Sequence, residues 1–272
     1  MLYKAYTPRY PLSRFIVSFW YGENAPQHVF ERLLPNGDMD LVMNLCDARL
    51  RFYGHGDLHH PECFTGPIVS GAHSDYYVID TFQQTSLMGV KFRPGGAYPF
   101  LGDSADRLHN LHIALENIWG QSAIELQARL MEAKTYEARF HCLEQALLHR
   151  LSDTIRPHPA VAHAVSTFVA QQGISSVATV TRETGLSPRR FIEVFRREVG
   201  LPPKTFCRIL RFQRALQLIG AKPSFGLTGL ALDCGYYDQA HLIRDFKDLA
   251  GITPTAYLAV EGAYDNHVPL AE

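Results

Sequence analysis

Phe195-Arg-Arg-Glu-Val-Gly200-Leu-Pro-Pro203-Lys-Thr-Phe206 recurs later in the chain as Phe246-Lys-Asp-Leu-Ala-Gly251-Ile-Thr-Pro254-Thr-Ala-Tyr257. The gaps from aromatic to glycine, glycine to proline and proline to aromatic agree between the copies. Upstream of each, Gly185 and Gly235 hold matching places and are followed by Ser187 and Asp238, residues suited to capping a helix. Two tandem units of helix, tight turn and helix are the expectation, with the repeat itself as the evidence for their boundaries.

In the first unit the pattern predicts one helix over Ser176–Thr184, a turn at Gly185-Leu186, and a second helix capped by Ser187 with Pro188 at its first position. At 100° per residue, Arg189, Arg190, Glu193, Arg196 and Arg197 share one arc; Phe191, Val194, Phe195 and Val199 lie opposite, with Ile192 at the border. In the second unit Asp238 is the expected cap, after a turn one residue longer at Tyr236-Tyr237. Leu242, Ile243, Phe246 and Leu249 form the apolar stripe, and Gln239, His241, Arg244 and Lys247 the exposed side. Pro203–Ile219 reads as one long amphipathic helix joining the units. Such a connector fixes the separation of the two polar faces. Two helices in successive major-groove turns lie about 34 Å apart.

Charge follows the same division. The chain of 272 residues carries a net −1, yet residues 155–260 hold 13 Lys and Arg against 7 Asp and Glu. Residues 1–154 are acidic, with 13 against 17. A basic module on an acidic body fits double-stranded DNA as a partner. Gln pairs with adenine and Arg with guanine through two hydrogen bonds each, which gives the exposed residues a reading role.

Before residue 103 the pattern is of strands: His28–Leu34, Met39–Leu45, Arg49–Tyr53, Tyr76–Phe82 and Ser86–Phe92, separated by turns such as Pro35-Asn-Gly-Asp38 and Arg93-Pro-Gly-Gly96. A β-barrel or sandwich is expected there. Helices follow to about residue 152, with Ile124, Leu126, Leu130 and Met131 as candidate core contacts. The expected class is therefore α+β, divided into a β-rich domain over 1–152, a linker over 153–159, an all-α double helix–turn–helix domain over 160–260 and a loose tail over 261–272.

Other chemistries find little support. No run of about twenty apolar residues is present to cross a bilayer, and the first residues are too polar for a signal peptide. Five scattered cysteines without a Cys-x-x-Cys pair argue against disulfides and structural zinc and favour the cytoplasm. His55, His59, His60 and Glu62 cluster in a loop and read as surface residues rather than metal ligands. Arg93-Pro-Gly-Gly96 is either a tight turn with a structural arginine or a cradle for an anion. No catalytic, P-loop or dinucleotide motif occurs, so no cofactor, metal or catalytic residue is expected.

Residues 160–258 resemble the DNA-binding domain of the AraC/XylS family of transcription regulators, most specifically at Gly235-Tyr, Asp238-Gln-Ala-His-Leu, Arg244-x-Phe-Lys247 and Gly251-Ile-Thr-Pro254. The resemblance implies a sequence-specific DNA-binding regulator. The first unit departs from the family pattern at Thr181, where a small alanine is usual, and at Ile192-Glu193, where some members place polar or basic readers. Residues 1–150 are similar to the N-terminal domain of some bacterial regulators of that family, through Leu34-Pro-Asn-Gly-Asp-Met-Asp-Leu-Val, Lys91-Phe-Arg-Pro-Gly-Gly-Ala97 and Trp119-Gly. That likeness implies a small-molecule effector, homodimerisation, or both, with RNA polymerase as a further candidate partner. Two alternatives stay open: a small-molecule enzyme with a regulatory DNA-binding appendage, and a protein-binding module. DNA alkyl-transfer repair would need a cysteine cluster that Cys46 and Cys63 do not supply.

Overall fold

The computed structural model describes residues 2–24, 30–46, 49–54, 57–81, 85–151, 156–221, 226–260 and 266–270. The N-terminal half holds strands β1 (Leu2–Tyr6), β2 (Ile16–Glu23), β3 (Phe30–Leu33), β4 (Asp40–Asn44), β5 (Leu50–Tyr53), β6 (Glu62–Phe64), β7 (Ile68–Ser70), β8 (Tyr77–Asp80), β9 (Ser86–Phe92) and β10 (His112–Ala114). A last strand, β11 (His267–Pro269), comes from the C-terminus. They form two antiparallel sheets, ordered β1-β2-β9-β4-β7-β10 and β11-β3-β8-β5-β6. The architecture is a sandwich and not a closed barrel.

Period-two alternation gives the larger sheet two different faces. Leu41, Met43, Val69, Met88 and Val90 point to one side, and Val42, Ile68 and Leu87 pack on the other against Leu50, Phe52 and Ile79 of the second sheet. The first side is covered by helices. After α1 (Tyr98–Leu101) and a 3-10 turn at Ala105–Leu108 come α2 (Glu116–Trp119), α3 (Gln121–Glu132) and α4 (Tyr136–Leu151). Phe140 of α4 stacks on Tyr6 and Phe19 with ring centroids 6.1 and 6.4 Å apart. On α3 the expected core residues divide: Leu126 and Leu130, one turn apart, are buried with Ala123, whereas Ile124 and Met131 lie exposed on the far side. Apolar character alone does not specify the face.

The remaining helices are α5 (Pro159–Ala170), α6 (Val177–Glu183), α7 (Pro188–Val199), α8 (Pro203–Ala221), α9 (Leu227–Asp233), α10 (Gln239–Ala250) and α11 (Pro254–Leu258). The linker expected over 153–159 falls partly outside the described residues. Its last proline is helical instead: Pro159 opens α5, where the missing N–H costs nothing, and the His158 ring accepts from the Ala160 N–H at 3.1 Å.

The tail expected to be loose is also ordered where it is described. His267, Val268 and Pro269 pair with Leu33, Arg32 and Glu31, and Val268 is fully buried. The polar composition that suggests a loose end hides an edge strand whose hydrogen-bond partners lie over two hundred residues away. Buried apolar residues of both halves belong to one continuous cluster.

Candidate nucleic-acid interface

Helices α7 and α10 are built alike. Ser187 caps the first, its hydroxyl accepting from the Arg190 N–H at 3.3 Å; Asp238 caps the second, accepting from the His241 N–H at 2.7 Å. Each cap satisfies one of the amide donors that a helix start leaves open. Both helices run twelve residues and end on a left-handed glycine, Gly200 at φ +88° and Gly251 at φ +71°. An L side chain is disfavoured at such an angle, which explains why the same residue closes both copies.

Each helix buries one face and leaves the other open. Phe191, Val194, Phe195 and Val199 are buried on α7, and Leu242, Phe246 and Leu249 on α10. Opposite them, Arg189, Arg190, Glu193 and Arg196 are exposed on α7, with Arg244 and Lys247 exposed and Gln239 and His241 half-exposed on α10. Nothing described in the acidic half covers the N-terminal part of either face. Arg189, Arg244 and Lys247 make no hydrogen bond or ion pair among the described residues, whereas Arg190 pairs with Glu193 at 2.9 Å.

On α10 the acidic residues share one cation from the connecting helix, and Asp245 also lies 3.9 Å from His241 Nε2. Arg208 of the connecting helix α8 bonds Asp245 at 3.0 Å and Asp248 at 2.7 Å. The Thr228 hydroxyl donates to Gln239 Oε1 at 3.1 Å, leaving the amide N–H2 group as a donor without a partner among the described residues. His241 lies edge-on to Tyr236, with ring centroids 5.2 Å apart.

Arg196 and Arg197, at the far end of α7, turn toward the N-terminal half. Arg196 bonds Asp106 at 3.2 Å, while Arg197 bonds Glu198 at 3.1 Å and lies over the Tyr98 ring at 5.8 Å. Glu198 is 1% exposed and also accepts from the His158 N–H at 2.9 Å. The closing glycines meet the same half: a Cβ at Gly200 would lie 2.7 Å from Met39 Cε and 3.3 Å from Ala72 Cβ, and one at Gly251 would overlap the Tyr76 ring. A single loop between β7 and β8, carrying Ala72 and Tyr76, therefore touches the ends of both helices.

Two exposed side chains lie outside the set read from sequence. Ile192 is 43% exposed on α7, and Tyr237, in the turn before α10, is 88% exposed. Tyr237 lines a shallow groove with Asp238, Ala240, His241 and Arg244. The signal for Ile192 is its border position in the helical projection. Tyr237 has only its neighbour Tyr236, which is buried, to contrast with.

The space between the two sheets is unexpectedly polar. His112 stacks on Phe52 at 3.9 Å, and His73 lies 4.8 Å from it and bonds Ser70 Oγ at 3.3 Å. Both ring nitrogens of His112 are buried without a hydrogen-bond partner among the described residues. Burial pushes the His73 imidazole down to about 3 and the His112 imidazole well below its ordinary value. It pushes the Asp40 carboxyl up to about 6, against the pull of Lys91. Elsewhere, Arg93 Nε donates to the Ser13 carbonyl at 3.1 Å, the role of a structural arginine in a tight turn. His59, His60 and Glu62 are exposed, and His55 lies outside the described residues. No three side chains that bind metals come together, and no helix is long and apolar enough to cross a membrane, among the described residues.

Comparison with known proteins agrees with this geometry. A family profile described as a helix-turn-helix domain matches residues 180–259, and one described as a domain of unknown function, DUF6597, matches residues 4–114. No curated protein sequence matches significantly. Among solved structures, ToxT from Vibrio cholerae bound to (E)-4-(8-methylnaphthalen-1-yl)but-3-enoic acid is 12% identical, covering 88% of this chain and 98% of that one, with a TM-score of 0.46. The DNA-binding domain of AdpA in complex with a target DNA is 23% identical over 38% of this chain and 92% of that one, with a TM-score of 0.35. A probable AraC family transcriptional regulator from Rhodopseudomonas palustris is 31% identical, covering 37% of this chain and 95% of that one, with a TM-score of 0.34. With that identity across nearly all of the relative, and the helix-turn-helix profile lying on the repeated units, the chain belongs to the AraC family of DNA-binding transcriptional regulators, which are not enzymes.

Proposed function

We propose that α7 and α10 enter successive major-groove turns of one duplex and read it as a pair. The observation that carries this is the matched construction of the two helices, each presenting an unpaired arginine, Arg189 or Arg244, on an uncovered polar face. On this reading Arg189, Arg190 and Glu193 face DNA from α7, and Gln239, His241, Arg244 and Lys247 from α10. Arg196 exchanges Asp106 for phosphate, and Arg197 braces α7 against the N-terminal half. Residues 160–260 are then the DNA-binding domain and 1–152 the sensing domain.

The finer reading is a response to a small-molecule effector, taken up among the polar groups between the sheets. The unpartnered His112 supports it, as does the position of His73 on the loop that touches both recognition helices. A second copy of the chain and RNA polymerase complete the set of partners, and the cytoplasm is the compartment that suits them.

Selection of binding sites from random duplexes by the purified full chain tests the DNA reading. Wild type should recover one motif with steep salt dependence. Arg244→Ala should relax one or two adjacent base pairs, by about 1–3 kcal/mol each. Recovery of no motif refutes the pairing of α7 and α10 on DNA, and recovery of an unchanged motif by the variant refutes the role of Arg244.

A further inference from the structure

Ile192 is a large apolar side chain in a charged setting. It lies one helical turn from Arg189 on one side and from Arg196 on the other, with Glu193 beside it, and all three of those residues are exposed. It takes no part in the buried cluster that anchors α7, whose members are Phe191, Val194, Phe195 and Val199. In the second unit Ile243 holds the equivalent place between cap and closing glycine, but it is only half-exposed. The matched isoleucines thus differ in exposure and not in chemistry: Ile192 is the more open to water of the two.

The one apolar feature that the edges of the bases present in the major groove is the C5-methyl group of thymine. An isoleucine on the groove-facing side of a recognition helix has no donor or acceptor to offer, so its only gain on binding is burial against that methyl. We infer that Ile192 reads a thymine methyl and fixes a T·A pair in the half of the site contacted by α7. This rests on the proposed insertion of α7 into the groove. It adds a base preference that arginines and glutamate on the same face do not supply.

Replacing each thymine of the selected site in turn by deoxyuridine removes one methyl and leaves base pairing intact. Wild type should lose about fourfold in affinity at one position, the value of one buried methyl-sized group. Ile192→Ala should bind thymine and uracil equally there, while Arg244→Ala keeps the preference at that position. An unchanged melting temperature for Ile192→Ala shows that the exposed substitution leaves the fold intact, and Ile192→Val should retain part of the discrimination. If wild type binds its site tightly but is indifferent to every thymine-to-uracil change, or if Ile192→Ala still prefers thymine, the inference is wrong and the DNA-binding reading stands. If wild type selects no site at all, both fall together.

Discussion

Arg196 of α7 and Asp106 of the N-terminal half, ninety residues apart in sequence, are joined at 3.2 Å. Both groups retain access to water, and an ion pair of that kind is worth about 0–1 kcal/mol. It is therefore weak enough to exchange for a phosphate. Asp106→Ala should release the guanidinium and raise affinity for all DNA sequences by a similar, modest factor. Arg196→Ala, which removes the phosphate contact itself, should flatten the slope of log affinity against log salt by about one. Fluorescence anisotropy titrations between roughly 50 and 200 mM salt measure both. An unchanged slope would mean that Arg196 does not reach the backbone.

Two left-handed glycines, Gly185 in the turn after α6 and Gly200 at the end of α7, allow backbone and packing effects to be separated. Gly185, at φ +69°, has nothing within 4 Å of an added Cβ; Gly200, at φ +88°, has Met39 and Ala72 against it. Gly185→Ala should cost only the left-handed penalty, about 1–2 kcal/mol. Gly200→Ala should cost more, because the N-terminal half must also move off the end of α7. Chemical denaturation of the two variants gives the comparison, and equal losses would show that the interdomain contact yields freely.

How much of this is legible in sequence follows the range of the interactions involved. Ser187, Pro188 and Gly200 act within one helix, so α7 can be read from residues 187–200 alone, and its copy supports the reading. Strands β3, β4, β5, β8 and β9 are visible through apolar runs ended by turns. By contrast, β2 runs Ile16–Glu23 with no clean alternation, and β6, β7 and β10 are three residues each, too short for any period to show. The ordering of the tail depends on a partner strand, not on His267-Val-Pro269 itself. Helix geometry alone puts Arg196 and Arg197 on the arc opposite the apolar stripe. Their contacts with Asp106 and Tyr98 belong to a packing between domains that no local pattern encodes.

Acid stability should report on the buried histidines. An unfolded histidine takes up its proton near pH 6.5, whereas burial lowers His73 to about 3 and His112 well below its ordinary value. Between these limits the unfolded chain binds more protons, so stability falls as pH falls, by about 1.4 kcal/mol per pH unit for each group. Asp38 and Asp40 act in the opposite sense. Burial raises them to about 7 and about 6, so the folded state holds more protons from the ordinary carboxylate range up to those values and gains stability on acidification. His112→Phe keeps an aromatic ring against Phe52 and removes one opposing contribution. Its stability relative to wild type should climb steadily from about pH 6.5 to about pH 4. Parallel pH profiles for the two proteins would show that His112 is already protonated in the folded state.

One amide joins the connecting helix, the turn between β3 and β4 and the C-terminal segment. Gln213 Nε2 donates to the Pro35 carbonyl at 2.7 Å and to Asn266 Oδ1 at 2.9 Å. Gln213→Leu keeps the volume but strips both acceptors of their donor, at a cost of about 1–3 kcal/mol where they are shielded from water. The loss should be local before it is global, because α10 is held independently by Arg208 and by its own buried stripe. Amide exchange in the variant should accelerate first along β11 and at Leu34, whose N–H is bonded to the Asn266 carbonyl at 2.9 Å. Exchange within α10 should keep its wild-type rate. Faster exchange throughout α10 would instead make the C-terminal strand part of the support for α10, so that trimming the chain end should weaken DNA binding directly.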